Sequence, residues 1–501
     1  MTATATRHYE TIIIGSGFAG LGMAIKLKQS GQDDFLVLEQ AGSVGGTWRA
    51  NTYPGCACDV PSHLYCYSFE PNPEWSRMFA SQPEIRAYLE HCTDKYGVRP
   101  HIRFESPVSA AQFDESEGLW HLEVGDGEAS FTARLVVAGF GPLSRPAYPR
   151  IDGIESFRGK AFHSAQWDDS YDLTGKRVAV VGTGASAIQF VPQIAGRVKQ
   201  LHLFQRTPPW VLPKPDRRIS KLERRLFKRL PALQRAYRQW IYWKLESRVL
   251  GFTVHPNILK AAQVIGHRHI NRSIDDPELR RKLTPNYTIG CKRILMANDY
   301  YPALNRDNVD VITGGVTGVT ERGVVAADGS EYEVDAIIFG TGFEALDPLG
   351  DMQIVGREGT ELGELWRQRG LEAYLGTSVA GFPNLFMLVG PNTGLGHSSM
   401  VYMIESQVHY VAEAIKAMRA RQAAFVDLRP EVQARYNDRL QEQLDGAVWS
   451  SGCSSWYLDP AGKNRTLWPS FTFKFREATA AFEVGDYELV RAHEHELAGA
   501  A

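Results

Sequence analysis

Two segments of this sequence combine glycines and one charged residue at spacings that can bind a dinucleotide. In the first, residues 9–39, an apolar run leads into Gly15, Gly17 and Gly20, and a second apolar run, FLVLE, ends at Glu39. Glycines at these positions allow a tight turn, close approach of a pyrophosphate to the backbone, and close packing of the following helix. A carboxylate nineteen residues after Gly20 can accept hydrogen bonds from ribose hydroxyls. The segment therefore predicts a strand, a turn, a helix and a second strand around a nucleotide.

The same arrangement recurs in residues 176–206, but the charge at its end is reversed. Gly182, Gly184 and Ala187 form the permitted G-x-G-x-x-A variant, and the second apolar run, LHLFQ, is followed by Arg206. An arginine at this position suits a 2′-phosphate, whereas a carboxylate suits a free 2′-hydroxyl. We therefore predict FAD at the first turn and NADPH at the second.

Two dinucleotide sites in one chain imply electron transfer from a nicotinamide to a flavin, which disulfide reductases, diaphorases and oxygenases all perform. The cysteines bear on the first of these classes. Cys56 and Cys58 form a C-x-C pair that could be redox-active, although the spacing differs from the usual C-x-x-C. We expect the six scattered cysteines to be ordinary reduced thiols, and since no paired zinc spacing occurs we predict no bound metal.

A longer pattern lies immediately before the second turn. Phe157, Gly159, His163 and Trp167 match F-x-G-x-x-x-H-x-x-x-W, which resembles the fingerprint of type I Baeyer–Villiger monooxygenases, in the class B flavoprotein monooxygenase family. Four further segments are similar to that family, and together the matches cover nearly the whole chain. They are residues 45–59 (GGTWRANTYPGCACD), 292–309 (KRILMANDYYPALNRDNV), 339–343 (FGTGF) and 454–464 (SSWYLDPAGKN).

The resemblance implies an enzyme that uses NADPH and O2 to convert ketones into esters or lactones, with sulfoxidation as a side activity. The reaction would pass through a flavin C4a-peroxide anion and a Criegee-type adduct, and a fixed cation beside the peroxide would stabilise both. The family pattern assigns this cation to Arg293, which stays protonated at any working pH. It also assigns Asp59 as the carboxylate that positions the guanidinium before charge develops.

The resemblance also implies a set of contacts to each cofactor. Core packing is the alternative explanation for the aromatic residues and the methionine, and a solvated surface position is the alternative for the lysine and the loop tryptophan. The predicted FAD contacts are Gly15, Gly17, Gly20, Glu39, Thr47, Trp48, Tyr53, Asp59, Tyr65 and Met400. The predicted NADPH contacts are Gly182, Thr183, Gly184, Ser186, Ala187, Arg206, Thr207, Lys292 and Trp456, the last on a loop expected to close over the nicotinamide.

The fingerprint residues have a different implied role, because the family pattern places them between the two domains and away from the substrate. Gly159 would give backbone freedom, and His163 would supply an anchoring hydrogen bond during domain movement. A purely structural role, in which Phe157 and Trp167 bury their rings against both domains, is compatible with this hinge.

The predicted fold class is α/β, with two Rossmann-like dinucleotide-binding domains and a helical insertion. Residues 1–148 and 381–501 would form a discontinuous FAD domain ending in a mobile C-terminal loop. The NADPH domain would span residues 149–380, with a helical insert at about 213–290. Within it, residues 216–252 are rich in Arg, Lys, Leu and Trp at near-helical spacing. We favour a solvated cationic face there, and a helix lying on a membrane is the alternative.

The composition and the patterning of apolar residues limit the partners and the location that we expect for the protein. The 501 residues carry a formal net charge of −2, which gives no overall attraction to nucleic acid or anionic membrane. The start, MTATATRHYETIIIG, lacks the features of a signal peptide. No run of eighteen apolar residues occurs, so we predict no membrane span. We expect a cytoplasmic protein whose partners are a small-molecule ketone and O2, and leave the oligomeric state open.

Three other functions remain open. A flavin-containing N- or S-monooxygenase would need no cation such as Arg293. A thiol–disulfide flavoprotein would depend on Cys56 and Cys58. A redox-sensing or scaffolding flavoprotein would use the basic helix to recruit a partner or a membrane. The identity of the ketone is not predicted, because selectivity follows the shape of the pocket and not a motif.

Overall fold

The computed structural model describes residues 7–125, 127–453 and 455–491. The strands, in chain order, are β1 (Arg7–Ile14), β2 (Phe35–Leu38), β3 (Ile102–Arg103), β4 (Val108–Asp114), β5 (Leu119–Val124), β6 (Ala129–Ala138), β7 (Lys160–His163), β8 (Arg177–Val181), β9 (Gln200–Gln205), β10 (Val211–Leu212), β11 (Leu295–Met296), β12 (Val309–Thr313), β13 (Val316–Val319), β14 (Gly323–Ala326), β15 (Glu331–Glu333), β16 (Ala336–Phe339), β17 (Gln353–Val355), β18 (Leu385–Met387), β19 (Ala423–Leu428) and β20 (Tyr487–Arg491).

The α-helices, in chain order, are α1 (Phe18–Gln29), α2 (Thr47–Ala50), α3 (Gln82–Lys95), α4 (Ala187–Ala195), α5 (Lys221–Arg229), α6 (Pro231–Glu246), α7 (Leu259–Ser273), α8 (Pro277–Leu283), α9 (Tyr300–Leu304), α10 (Leu362–Arg369), α11 (Met400–Ala420), α12 (Pro430–Asp445) and α13 (Thr472–Ala478). The longest run of α-helices without an intervening strand is α5 to α8.

The larger sheet is built around β1. Its strand order is β17-β4-β5-β6-β1-β2-β3, and β18 also pairs with β6. β1 is parallel to β2 and β6, whereas β4, β5 and β6 are antiparallel neighbours. The second half of β1 and all of β2 are buried, as expected for central strands covered on both faces. One face packs against α1 and α11, and the other forms a separate core with Phe113 and Trp120.

The smaller sheet repeats the central part of this pattern. Its order is β12-β9-β8-β16-β7, and all neighbouring strands are parallel. β8 lies between β9 and β16 just as β1 lies between β2 and β6. The predicted α/β class is confirmed by these two sheets, each of which carries a glycine-rich turn after its central strand.

The chain returns to the larger sheet earlier than we predicted. The last strand of the smaller sheet, β16, ends at Phe339, and β17 already pairs with β4 of the larger sheet. Leu362 and Trp366 of α10 belong to the core of the larger sheet as well. By sheet membership the return therefore falls in residues 340–352 and not at residue 381. Strands as short as β17, with three residues, carry too little pattern to reveal which sheet they join.

Two fingerprint residues sit along the edge strand of the smaller sheet. His163 ends β7, is fully buried, and its Nδ1 accepts a hydrogen bond from the backbone N–H of Ala165 at 3.1 Å. Gly159 precedes β7, and a Cβ added there would lie 2.5 Å from the backbone oxygen of Asp335. The glycine is therefore required by a close backbone approach, and its role in a hinge remains a prediction.

The two fingerprint aromatics pack on opposite faces of that sheet. Phe157 is half-buried in the cluster that contains Phe339, whereas Trp167 packs against Phe162 and Phe190 in the other cluster. The cluster of Trp167 also contains Tyr53 and Cys56 of the larger domain, whereas that of Phe157 contains residues of the NADPH domain alone.

The helical insert is anchored by polar contacts to the larger domain. Arg238 of α6 donates to the backbone oxygens of His63 at 2.8 Å and Leu64 at 3.2 Å. Gln234, one turn earlier, donates to the backbone oxygen of Asn72 at 2.8 Å. Helices α5 to α8 lie inside the predicted limits of about 213–290. Within the described ranges, no helix combines the length and the apolar content needed to cross a bilayer.

Two buried histidines should make the fold sensitive to mild acid. Burial lowers the pKa of both His163 and His63 to about 4, below the ordinary value of about 6.5. As pH falls through this window, the unfolded chain binds protons that the folded chain does not, so stability is full above about pH 6.5 and declines toward pH 4. We expect the urea midpoint of His163→Asn to fall less than that of the wild type between about pH 7 and about pH 5.

The exposed His255 provides the control for this comparison. The midpoint of His255→Asn should fall as much as that of the wild type. An equal fall for His163→Asn would show that the buried imidazole does not titrate on unfolding.

Candidate functional site

The first glycine turn joins β1 to α1 with no room for side chains. Gly15 has φ of +95°, and a Cβ on Gly20 would lie 1.9 Å from the backbone oxygen of Gly15. Gly17 faces Gly46 of the neighbouring loop, and a Cβ on Gly46 would lie 3.0 Å from the Cα of Gly17. These contacts leave a backbone-lined cradle at the start of α1, where the helix dipole favours phosphate.

Charged groups flank this cradle. Glu39 is buried at the end of β2, where it accepts hydrogen bonds from the N–H of Ser16 at 2.8 Å and its hydroxyl at 2.6 Å. The Nε of Arg49 is buried and has no hydrogen-bond partner among the described residues. A carboxylate for ribose and an unpaired cationic donor for phosphate both fit a dinucleotide. Arg49 was not predicted, although it lies in the 45–59 segment that carried the resemblance.

The predicted flavin aromatics differ in their surroundings. Trp48 donates from Nε1 to the hydroxyl of Tyr65 at 3.0 Å, and their rings meet edge to face at 5.6 Å. The hydroxyl of Tyr53 donates to Gln189 of α4 at 2.9 Å, and Gln189 donates in turn to the backbone oxygen of Ala57 at 2.9 Å. Tyr53 therefore connects the two sheet domains, in addition to any contact it makes with a cofactor.

Two other predicted flavin contacts lie at helix starts. Thr47 is the exposed first residue of α2, beside the glycine cradle. Met400 is the half-buried first residue of α11 and packs against a cluster that includes Leu395 and Trp449. Ordinary packing accounts for Met400, and its contact with a flavin remains a prediction.

Asp59 and Arg293 form an ion pair although 234 residues separate them. The Nε of Arg293 lies 3.1 Å from Oδ2 of Asp59, and Nη2 donates to the same oxygen. The charge of Asp59 raises the pKa of Arg293. Burial raises the pKa of Asp59, but the guanidinium outweighs burial and holds that pKa below its usual value. Both groups are therefore charged at any working pH, with 34% of each side chain exposed.

The ion pair lies beside the aromatic residues of the first domain. Burial raises the pKa of Tyr65, the charge of Asp59 adds to this rise, and the charge of Arg293 opposes it. Both charges of the ion pair therefore act on Tyr65, whose hydroxyl accepts the hydrogen bond from Trp48. A planar ring system bound against these aromatics would lie close to a permanent cation.

Sequence reasoning missed two side chains that approach the ion pair. Lys214 donates to the backbone oxygen of Cys58 at 3.1 Å, and its charge also lowers the pKa of Asp59. Tyr457 is 1% exposed, and the charge of Arg293 opposes the rise in its pKa that burial causes. Lys214 belongs to no recognised motif. Tyr457 lies in the 454–464 segment, where only its neighbour was singled out.

The second glycine turn is as tight as the first. Gly182 has φ of +106°, and a Cβ there would lie 2.5 Å from the backbone oxygen of Gly340. Gly184 is less crowded, since its nearest neighbour would be 3.8 Å away. Ser186 is the N-cap residue of α4, which begins at Ala187. This end of α4 therefore offers the same backbone-lined position for a phosphate.

Cations gather where the second turn meets the segment before Arg293. Arg206 follows β9 and is exposed, while Lys292 is half-buried with its Nζ 5.1 Å from the ring centre of Tyr287. Burial lowers the pKa of Lys292, and the charge of Arg206 lowers it further. Neither cation forms an ion pair with any described residue. Thr183 donates to the backbone oxygen of Thr207 at 3.3 Å and holds that residue at the same place. Two cations that repel one another favour an anionic ligand.

A cavity of about 430 Å³ opens beside these cations. One wall carries a disulfide between Cys291 and Cys453, which ties the C-terminal loop to the segment containing Lys292. The expectation that every cysteine is reduced is therefore wrong for this pair, whose 162-residue separation gave no sign of pairing. The cavity is lined by Thr207, Asn286, Tyr287, Thr288, Cys291, Lys292, Ser451, Gly452 and Cys453.

Two adjacent aromatic residues of the C-terminal loop differ in their exposure to solvent. Trp456 is 46% exposed and its ring centre lies 4.6 Å from that of Tyr457, which is buried near Arg293. The closure of Trp456 over a nicotinamide remains a prediction, as does the mobility of the loop. Ser454, the first residue of the matching segment, lies outside the described residues.

The C-x-C pair lacks the features of a reactive dithiol. Cys56 and Cys58 are buried and not bonded to each other. Burial raises the pKa of Cys56 to about 11 and raises that of Cys58 as well. Thiols held protonated are poor nucleophiles. This chemistry does not favour thiol–disulfide exchange at the first turn.

Comparisons with known proteins agree with this geometry. The chain matches the family model described as flavin-binding monooxygenase-like over residues 9–362. It is 58% identical over 490 residues to a protein from Pseudomonas aeruginosa named Baeyer-Villiger monooxygenase, and the match covers 97% of this chain and 93% of that protein.

Solved structures resemble the whole chain. An oxidized steroid monooxygenase bound to NADP is 32% identical with a TM-score of 0.85, and the match covers 97% of this chain and 100% of that one. A complex of OTEMO with FAD and NADP is 29% identical with a TM-score of 0.86 and the same coverage.

The disulfide predicts how many thiols the unfolded protein exposes. Cys56, Cys58, Cys66 and Cys92 are free, so a thiol reagent in denaturant without reductant should titrate these four. Cys453→Ser should add one thiol, because Cys291 loses its partner. Six thiols in the unreduced wild type would contradict the bond, and peptide mapping by mass spectrometry would identify which cysteines reacted.

Proposed function

The chain belongs to the flavin-binding monooxygenase-like family, and from this premise we propose how its site performs the reaction of a Baeyer–Villiger monooxygenase. The resemblance noted in the sequence is confirmed by the family match and by the 58% identity to a protein of that name. The protein is an FAD-dependent monooxygenase that uses NADPH and O2 to convert ketones into esters or lactones. The observation that supports the mechanism best is the Asp59–Arg293 pair beside Trp48 and Tyr65.

We propose that the first turn holds FAD. The backbone of Gly15 and Gly17 would receive the pyrophosphate, Glu39 the ribose, and the Trp48–Tyr65 pair one edge of the ring system. The fit is supported by the backbone-lined cradle and by the unpaired Nε of Arg49. When bound and reduced, the flavin supplies an oxygen nucleophile derived from O2.

Arg293 is proposed to stabilise negative charge during oxygen transfer. Attack on a ketone places a negative charge on the former carbonyl oxygen, and a positioned cation lowers the energy of that state. Asp59 engages Nε and Nη2 and leaves Nη1 outside the pair. The guanidinium would thus be held in one orientation before substrate arrives, which avoids reorganisation at the moment of reaction. Tyr457, buried beside it, would help to exclude water.

We propose that the second turn binds NADPH through its 2′-phosphate. The supporting observation is that Arg206 and Lys292 repel each other and lack carboxylate partners among the described residues. An incoming phosphate would relieve this repulsion and accept charge-assisted hydrogen bonds. Thr207 and Lys292 both face the 430 Å³ cavity, which would receive this end of the coenzyme. We also propose a cytoplasmic location and a ketone substrate of unspecified size.

Removing the guanidinium should separate oxygen transfer from flavin reduction. We expect Arg293→Ala to lose at least about 100-fold in ester formation, the loss typical of one oxyanion-stabilising donor. Anaerobic flavin reduction by NADPH should remain near the wild-type rate, since hydride transfer does not need this charge. Product analysis by gas chromatography and stopped-flow absorbance measure the two steps separately.

Two further variants serve as comparisons for Arg293→Ala. Arg293→Lys keeps a charge without the fork geometry and should lose less than Arg293→Ala. Arg158→Ala removes an arginine that is 75% exposed and paired with Glu321, and should leave turnover unchanged. Full ketone oxygenation by Arg293→Ala would remove the proposed centre and revive the N- or S-monooxygenase alternative.

Coenzyme preference should depend on the two repelling cations. We expect Arg206→Ala and Lys292→Ala each to raise the KM for NADPH about 10- to 100-fold, the cost of one charged hydrogen bond. The KM for NADH, which lacks the phosphate, should change little. Steady-state kinetics with both coenzymes measures the ratio. An equal rise for both would show that these residues support the fold or the nicotinamide end.

A further inference from the structure

Large apolar side chains are exposed on the helical insert to an extent found nowhere else in the described chain. Of fifteen such exposed residues, eleven lie between residues 222 and 265. Six of them are on or between α5 and α6, with Leu222 74% and Trp243 57% exposed. They are Leu222, Leu226, Leu230, Leu233, Trp240 and Trp243.

Five of these side chains follow the helical repeat within α5 or α6, and Leu230 lies between the two helices. On α5, Leu222 and Leu226 are four residues apart, and on α6, Leu233, Trp240 and Trp243 are separated by seven and three residues. Residues at such spacings share one face of a helix. The remaining five exposed residues continue along the next elements. They are Leu250, Val254, Ile258, Val264 and Ile265.

The exposed residues of α6 point outward because the opposite face of this helix is packed against the larger domain. Gln234 and Arg238 are buried and bonded to the backbone of the larger domain, and Ile241 and Leu245 are buried on the same side. Trp240 therefore faces solvent because the helix is anchored from behind, and not because it is poorly packed.

The same stretch is strongly basic. Residues 221–268 contain eleven Lys and Arg but only two Glu, in a chain whose net charge is −2. Of the two acids, Glu223 is paired with Arg217 at 2.8 Å and Glu246 is buried. The ammonium of Lys244 lies 5.0 Å from the ring centre of Trp240. We name the exposed apolar and cationic residues of 221–268 the basic–apolar face.

We propose that the basic–apolar face docks the enzyme on the surface of a membrane that contains anionic lipids. Tryptophan and leucine can enter the headgroup region while the surrounding cations contact lipid phosphates. Charge complementarity selects this occupant. A second copy of the chain would bring two equally basic faces together, which like charges oppose. A nucleic acid would use the cations but leave the leucines exposed.

This surface changes our interpretation of residues 216–252. A solvated cationic face accounts for the lysines and arginines but not for the exposed leucines and tryptophans among them. The proposal does not depend on the reaction at Arg293, because membrane binding can be measured without substrate or coenzyme.

Vesicle flotation of the full-length holoenzyme tests the proposal. We expect the wild type to float with phosphatidylcholine vesicles that contain phosphatidylglycerol, to float less at high salt, and to stay unbound with phosphatidylcholine alone. Leu222→Gln combined with Trp240→Gln should weaken binding at least about tenfold, because two apolar anchors are lost. Arg225→Glu combined with Arg229→Glu should abolish the preference for anionic vesicles.

Controls keep each outcome decisive. Leu143→Gln changes an exposed leucine outside the insert and should bind vesicles like the wild type, and the ketone turnover of every variant in solution should be unchanged. Absence of wild-type binding, or unaltered binding by both double variants, would overturn the proposal. Dimers in sedimentation velocity that Leu222→Gln/Trp240→Gln dissociates, without vesicle binding, would assign the face to a second copy instead.

Discussion

The contact on which most of the site depends is the one between a single carboxylate oxygen of Asp59 and the guanidinium of Arg293. Its two members come from segments 234 residues apart, and the side chains around them come from further segments still. Lys214 lies seven residues before the start of α5, and Tyr457 is part of the C-terminal loop. Both sheet domains and the loop must therefore be correctly packed before one cation reaches its place. The proposed role of Arg293 therefore requires that both nucleotide-binding domains be folded.

The glycine turns could be predicted because their causes are local. Gly15 and Gly182 have positive φ, Gly20 packs against the backbone of Gly15, and the acid or arginine that follows is a fixed distance along the chain. The Asp59–Arg293 pair was found through resemblance, since spacing in sequence contains nothing that joins residues so far apart. Lys214 and Gln189 were missed for the same reason, because their value lies in contacts made across domain boundaries.

Domain boundaries and the exposure of individual side chains were harder to predict from the sequence. A three-residue strand such as β17 fits either sheet by pattern, so the return to the larger sheet was placed too late. The disulfide was unforeseen because isolated cysteines 162 residues apart show no pairing rule. The insert presents the converse case. Its apolar spacing predicts amphipathic helices, but only the structure shows that polar residues such as Arg238 are buried while Trp240 faces outward.

The bond between Cys291 and Cys453 has a consequence for the chain when it is not folded. It closes a ring that contains the strands from β11 to β19 and the helices from α9 to α12. A ring of this size removes conformational entropy from the denatured ensemble worth about 5 kcal/mol in the chain-entropy model. The oxidised molecule thus starts folding with the segment of Arg293 and the C-terminal loop already tethered to each other. Reduction of the disulfide would remove this tether from the unfolded chain.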